Sequence, residues 1–154
     1  MLYDKLIFPK RTLTVILLSM LSMGFLSVTA ARKKPVQKIK VACIGNSITY
    51  GTGIQDREHF SYPVQLQKML GDKYLVGNFG KPGATLLNHG HRPYMQQEEY
   101  RQAMAFKGDI AVIHLGINDT DPRNWPNYRD EFVKDYLSLM DTLRSAKPKV
   151  TINQ

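Results

Sequence analysis

Apolar residues along this chain fall into two kinds of run. Four short stretches are apolar with little interruption: Lys38 to Ile44 (KIKVACI), Tyr74 to Phe79, Asp109 to Leu115 (DIAVIHL) and Lys149 to Ile152. Val41-Ala42-Cys43-Ile44 in the first and most of the third are continuously apolar, the pattern of a strand covered on both faces. Between them the spacing changes. Leu66, Met69 and Leu70 share one helical face, with Ser61 as cap, Pro63 in the first turn and Gly71 as the stop. Tyr94 to Phe106 is polar with scattered apolar residues and predicts a helix. Phe132, Tyr136, Leu139, Met140 and Leu143 define the inner face of a longer helix, from about Tyr128 to Ala146 with Asn127 as cap. Strands alternating with helices predict an α/β fold with a parallel sheet. Sites in such folds gather at the carboxyl ends of the strands.

The first thirty residues stand apart from this pattern. Lys5, Lys10 and Arg11 precede an apolar run, Leu13 to Val28, and small residues follow it at Val28-Thr29-Ala30. Basic, apolar and small segments in that order predict a secretory signal peptide over 1–30, cut after Ala30. The apolar run of 16 residues is short of the ~20 that span a bilayer. Residues 31–37 (ARKKPVQ) then form a linker, and 38–154 the domain. A secreted or periplasmic protein, with no stable membrane association after cleavage, is the expectation.

Charge changes the picture less than its total suggests. The formal net charge is +8. Most of it lies in the first thirty residues and in Arg32, Lys33, Lys34, Lys38 and Lys40, whereas from Val41 onward 13 basic residues meet 12 acidic ones. Nucleic-acid binding needs cations clustered on a folded surface, so no nucleic-acid partner is expected. The single cysteine, Cys43, lies in an apolar strand and reads as a small buried side chain rather than a thiol nucleophile. It has no partner for an internal disulfide.

Three of the strands end in polar, glycine-bearing loops: Gly45-Asn46-Ser47-Ile48-Thr49, Asn78 to Thr85, and Gly116-Ile117-Asn118-Asp119. The first places a hydroxyl just past a strand end. In the second a glycine can present a bare N–H to a ligand, and the third offers a side-chain amide. A nucleophile with two kinds of oxyanion donor is what acyl transfer from an ester requires.

In these blocks the chain resembles the SGNH, or GDSL-type, hydrolases. Gly45-Asn46-Ser47-Ile48-Thr49 is similar to their first block, with Asn46 where Asp is commoner. Gly83 matches the glycine of the second block, and Gly116-Ile117-Asn118-Asp119 the third. The resemblance covers the chain from Lys38 onward. It implies a flavodoxin-like three-layer α/β/α fold with neither metal nor cofactor, and a small-molecule or glycan ester as substrate. It further implies Ser47 as nucleophile, with an oxyanion hole of Ser47 N–H, Gly83 N–H and the Asn118 side chain. Within the family, Asn88 to Tyr94 and Asp119 to Phe132 look like sialate O-acetylesterases. A sialic acid carries a carboxylate that a guanidinium would grip bidentately, and Arg92 and Arg123 are the candidates.

The family's base and its orienting acid come as an Asp-x-x-His block near the end of the domain. This chain ends in the fourth strand, so the resemblance implies a fold incomplete at the C-terminus, with the catalytic His and Asp beyond residue 154. Asp56-Arg57-Glu58-His59 has the same spacing but follows Ser47 closely, in the first connection, and is read as chance. His114 is expected in or near the core. His89 and His91 are read as loop polarity, since zinc needs three or four ligands. Two rivals remain: a lysophospholipase or thioesterase, and a non-catalytic, glycan-binding or truncated product.

Overall fold

The computed structural model describes residues 36–153. The expected signal segment and most of the linker lie outside the described residues. Four parallel strands form one sheet in the order β2-β1-β3-β4: β1 Ile39–Gly45, β2 Tyr74–Gly80, β3 Ile110–His114 and β4 Thr151–Asn153. This is the flavodoxin-type order. The strand between the two neighbours is the one with the continuous apolar run, and Val41 to Ile44 are buried throughout. Gly80 and His114 stand abreast of Gly45 on its two sides. The three strands therefore end level.

Two helices cover one face of this sheet. They are α4, Glu98–Phe106, and α6, Phe132–Ala146. Ala42, Ile44, Ala111 and Ile113 meet Ala103, Leu139 and Leu143 there, with Phe79, Leu86 and Tyr94 in the same cluster. The other face carries α3, Tyr62–Leu70, against β2. It follows two single turns, α1 Ser47–Tyr50 and α2 Arg57–Phe60. Strand residues alternate between faces, so Cys43 looks toward α3. Burial there pushes the thiol up to about 11, a rise that the nearby Tyr62 hydroxyl opposes. None of the described helices is long and apolar enough to cross a membrane.

The predicted strands and helices are present, with three differences. The helix expected over Tyr94 to Phe106 begins only at Glu98, after a separate 3₁₀ turn, Tyr94–Gln96, and an extended Gln97. The long helix begins at Phe132 rather than Tyr128. Asn127 is not its cap: it lies inside a separate turn, α5 Trp125–Tyr128, and its amide donates to the Arg123 carbonyl. Tyr128 leaves the helical region at φ −130°, ψ 6°, and a 3₁₀ turn, Arg129–Glu131, follows. The break folds Trp125 back edge-on to Phe132, with ring centroids 5.6 Å apart. His114, expected in or near the core, is exposed. It ends β3 on the face opposite α4 and α6, because Ala111 and Ile113 take the covered positions.

Two consequences can be measured. Leu139 is fully buried, and Leu139→Ala should cost about 2–5 kcal/mol in denaturant unfolding. Leu137, half exposed on the same helix, should tolerate alanine within about 0.5 kcal/mol. The Cys43 thiol, protonated and buried, should stay unmodified by a thiol reagent at pH 8 and react only when the protein unfolds.

Candidate active site

The level strand ends deliver three loops to one edge of the sheet. β1 runs into α1 through Gly45 and Asn46. A Cβ on Gly45 would lie 2.7 Å from the His114 carbonyl oxygen, and one on Gly80 would lie 2.2 Å from the Tyr50 nitrogen. These are backbone approaches that only glycine permits. They press the Ser47 turn down onto its neighbours. Asn46 is completely buried and caps the turn, its Oδ1 accepting the Ile48 N–H at 3.0 Å. Ser47 is half-buried as the first residue of α1.

Hydrogen bonds staple the second and third loops to this turn. Lys81 N–H donates to the Gly45 carbonyl at 2.8 Å. Asn118 Nδ2 donates to the Ala84 carbonyl at 2.8 Å, so Asn118 lies against the residue that follows Gly83. Gly83 itself has φ +77°. Among the described residues, neither the Ser47 N–H nor the Gly83 N–H finds an acceptor. The Asn118 amide has spent only one of its two N–H donors. The three residues picked out by the sequence thus lie on adjoining loops at one end of the sheet, with donors to spare.

Three further residues hold this arrangement. Asp119 is completely buried, and its carboxylate accepts the Leu86 and Leu87 N–H groups at 2.9 and 2.7 Å. Asp135 on α6 takes the Asn88 N–H at 2.7 Å and the Asn88 amide at 2.9 Å. Asn124, also buried, donates to the Asn118 carbonyl at 2.9 Å and accepts the His91 N–H at 2.9 Å. None of the three was singled out for a role by the sequence. No local signal marks them: Asp119 stands between Asn118 and Thr120, and Asp135 follows Lys134.

The two candidate arginines differ. Arg92 reaches across the Gly83 turn, its Nη1 donating to the Pro82 carbonyl at 3.0 Å. Arg123 is held by its neighbour instead: Nε and Nη2 donate to the two oxygens of Asp121 at 2.9 and 2.8 Å. That pairing, reinforced by the Arg123 N–H, holds the Asp121 carboxyl well below the usual range. Asp56 and His59 do meet, at 2.8 Å, but on the exposed surface of α2. His89 pairs with Glu131 at 2.7 Å, also exposed. No hydrogen bond joins any of these histidines to Ser47 among the described residues. Nor do the described residues contain a group of three or more His, Cys, Asp or Glu side chains placed to hold a metal ion.

The family model of the GDSL-like lipase/acylhydrolases matches residues 43–154, and with them all three loops. The chain belongs to that family. An acetylxylan esterase of Xylanibacter ruminicola is 51% identical over 106 residues, which are 69% of this chain and 22% of that protein. The chain therefore spans under a quarter of the curated relative it matches. Among solved structures, the SGNH-hydrolase family esterase AlinE4 superposes with a TM-score of 0.53 at 21% identity, over 75% of this chain and 57% of its own. A family two carbohydrate esterase from Cellvibrio japonicus gives 0.50 at 22% identity, over 75% and 41%. At such identities the two structures establish the fold.

Removal of the Asp119 carboxylate isolates its importance as a staple. Asp119→Ala strands two buried N–H groups, and at about 1.5–3 kcal/mol per charge-assisted bond the loss should exceed 3 kcal/mol. Equilibrium unfolding checks it. Asp119→Asn, which keeps one acceptor, should lose less.

Proposed function

We propose that this chain carries the nucleophile and oxyanion donors of an esterase that removes acetyl groups from a carbohydrate. One observation carries the proposal: Ser47, Gly83 and Asn118 lie on three stapled loops at the carboxyl ends of adjacent strands, each with an unspent N–H donor. Ser47 Oγ attacks the ester carbonyl, whose oxygen gathers negative charge, and preorganised N–H donors stabilise it there. The alkoxide leaves with a proton as the sugar alcohol. Water then hydrolyses the acetyl-enzyme, returning Ser47 and acetate.

Ser47 needs a base to take its proton, since a free hydroxyl is a weak nucleophile near neutral pH. On this proposal the base is an Asp-x-x-His pair outside the described residues. The Asp56–His59 pair is bonded to itself and exposed on α2, with its backbone anchored by Gln65 and Lys68. Export through the N-terminal segment belongs to the same proposal and fits a substrate outside the cell.

The acetylxylan esterase and the carbohydrate esterase support a sugar acetate as substrate. A sialic acid ester, the finer expectation, has one observation in its favour, the position of Arg92 beside Gly83. Arg123 does not add to it, because its fork is already matched by Asp121. A lysophospholipase would need an apolar acyl channel beside Ser47, whereas His89, Arg92 and Arg123 set a polar surface on these loops.

The test is hydrolysis of p-nitrophenyl acetate by the chain extended to include its Asp-x-x-His pair. Ser47→Ala should reduce kcat to the background of an enzyme without its nucleophile while leaving the fold intact. Asn118→Ala should cost about 10²–10³ in kcat, as loss of one oxyanion donor does. His59→Ala should stay within a few-fold of the parent. An undiminished rate in Ser47→Ala would remove the proposal.

A further inference from the structure

Ser47 opens α1, a helix of four residues. So short a helix does not hold itself, because a first turn fixes several backbone angles for one hydrogen bond. Its position comes from what touches it. Asn46, Gly45 and Gly80 act at its start. At its end, Gly51 and Thr52 both donate backbone N–H groups to the Ser47 carbonyl, at 3.0 and 2.9 Å. Within the turn one side chain is completely buried, that of Thr49.

Thr49 is tied to two elements at once. Its side chain occupies the space that a Cβ on Gly45 would take, at the end of β1. Its hydroxyl meets the Tyr62 hydroxyl at 3.1 Å and has no other hydrogen-bond partner among the described residues. Tyr62 is firmly seated. It is the first residue of α3, and Pro63 beside it has a fixed backbone angle. Ser61, just before it, is buried and packs on Gly51, where a Cβ would lie 2.9 Å from the Ser61 Cβ. Burial pushes the Tyr62 phenol well above its ordinary range, so it stays a neutral hydroxyl that can donate or accept.

Either hydroxyl, left alone, becomes an unmatched polar group beside the turn. Thr49 stands two residues from Ser47 in the same short helix, so what fixes one fixes the other. A shift of the turn would move both the Ser47 Oγ and the Ser47 N–H. Rates are steep in such shifts, and a misplacement of about 1 Å can cost about 10²-fold. We propose that Tyr62 is a positioning residue: through its bond to Thr49 it holds the α1 turn, and with it Ser47, at the strand ends. For its effect on rate this rests on the esterase proposed above, whereas the hold on the turn does not.

Two measurements test it. In the full chain, amide hydrogen exchange reads the turn directly, at the Tyr50, Gly51 and Thr52 N–H groups bound to the Asn46 and Ser47 carbonyls. Tyr62→Phe removes one hydroxyl and keeps the ring, and Thr49→Val removes the other and keeps the shape. Each should speed exchange at these amides by about tenfold. A loss confined to global stability would appear in the β1 amides instead. In the chain extended to include its Asp-x-x-His pair, each variant should lower kcat on p-nitrophenyl acetate by about tenfold or more with KM unchanged. The double variant should lose no more than either single one, because the two hydroxyls act as one bond. Thr49→Ser, which keeps the hydroxyl, should stay within about twofold of the parent. Leu139→Ala, which costs stability elsewhere, should leave the kcat of the folded enzyme unchanged. Unchanged exchange at the turn in both variants, losses that add in the double variant, or a change in KM with kcat preserved would each overturn the role of Tyr62. Faster exchange at the turn, in a parent that shows no Ser47-dependent hydrolysis, would uphold the hold of Tyr62 on the turn and remove the esterase.

Discussion

The level ending of three parallel strands is the constraint on which the rest depends. With Gly45 abreast of both Gly80 and His114, the loops that follow start from one plane. A shift in the register of β1 would carry Ser47 along the sheet and reverse which face each of its residues meets. The register is set by burial on both sides. Ala42 and Ile44 fill the space against α4 and α6, and Cys43 fills it toward Tyr62. Glycine at the strand ends lets the α1 backbone settle directly on Gly80. The hydrophobic core and the position of the nucleophile therefore have a single origin.

Above that plane apolar packing gives way to carboxylates used as structural acceptors. Asp119 and Asp135 bind backbone N–H groups in the segment Leu86 to Asn88, where regular structure offers no partner. Loops with buried polar groups need such partners. Asn118 and Asp119 divide the work between them. One amide N–H of Asn118 holds the Ala84 carbonyl, the next residue's carboxylate holds the two N–H groups beyond it, and the second amide N–H stays unspent. A rigid loop and an unspent donor come from adjacent positions.

Much of this was legible in the chain. The four strands and the helices between them follow from apolar runs and helical spacing, because a sheet covered on both faces leaves its mark in composition. Ser47, Gly83 and Asn118 were legible as motifs at strand ends. Two kinds of feature were not. The break at Tyr128 depends on Trp125 folding back against Phe132, a contact between side chains that helical periodicity cannot register. The exposure of His114 depends on which face of β3 is covered, and its apolar neighbours at Ile113 and Leu115 suggested the opposite. Asp119, Asp135 and Asn124 escaped notice for a related reason. Their partners are backbone groups some thirty to fifty residues away, which leave no pattern in sequence.

Asn46 shows what such a site costs the fold. Its Oδ1 caps the turn, but its Nδ2 is buried with no partner, a loss of about 1–3 kcal/mol. Asp at this position, commoner in the family's first block, would cap the Ile48 N–H equally well and leave no orphan donor. It would instead place a carboxylate in a completely buried position. No cation makes a hydrogen bond or ion pair there among the described residues. Burying an unpaired charge costs more than leaving one amide hydrogen unmatched. Asn is therefore the cheaper cap in this setting. It keeps the base of the turn neutral beneath the hydroxyl that must lose its proton, where a negative charge would oppose the alkoxide. Orphaned polar groups at Asn46 and Glu99, and unspent donors at Ser47, Gly83 and Asn118, cluster around one end of the sheet. The stability they forgo is supplied by the sealed core below them, and that division is what a binding and reaction surface requires.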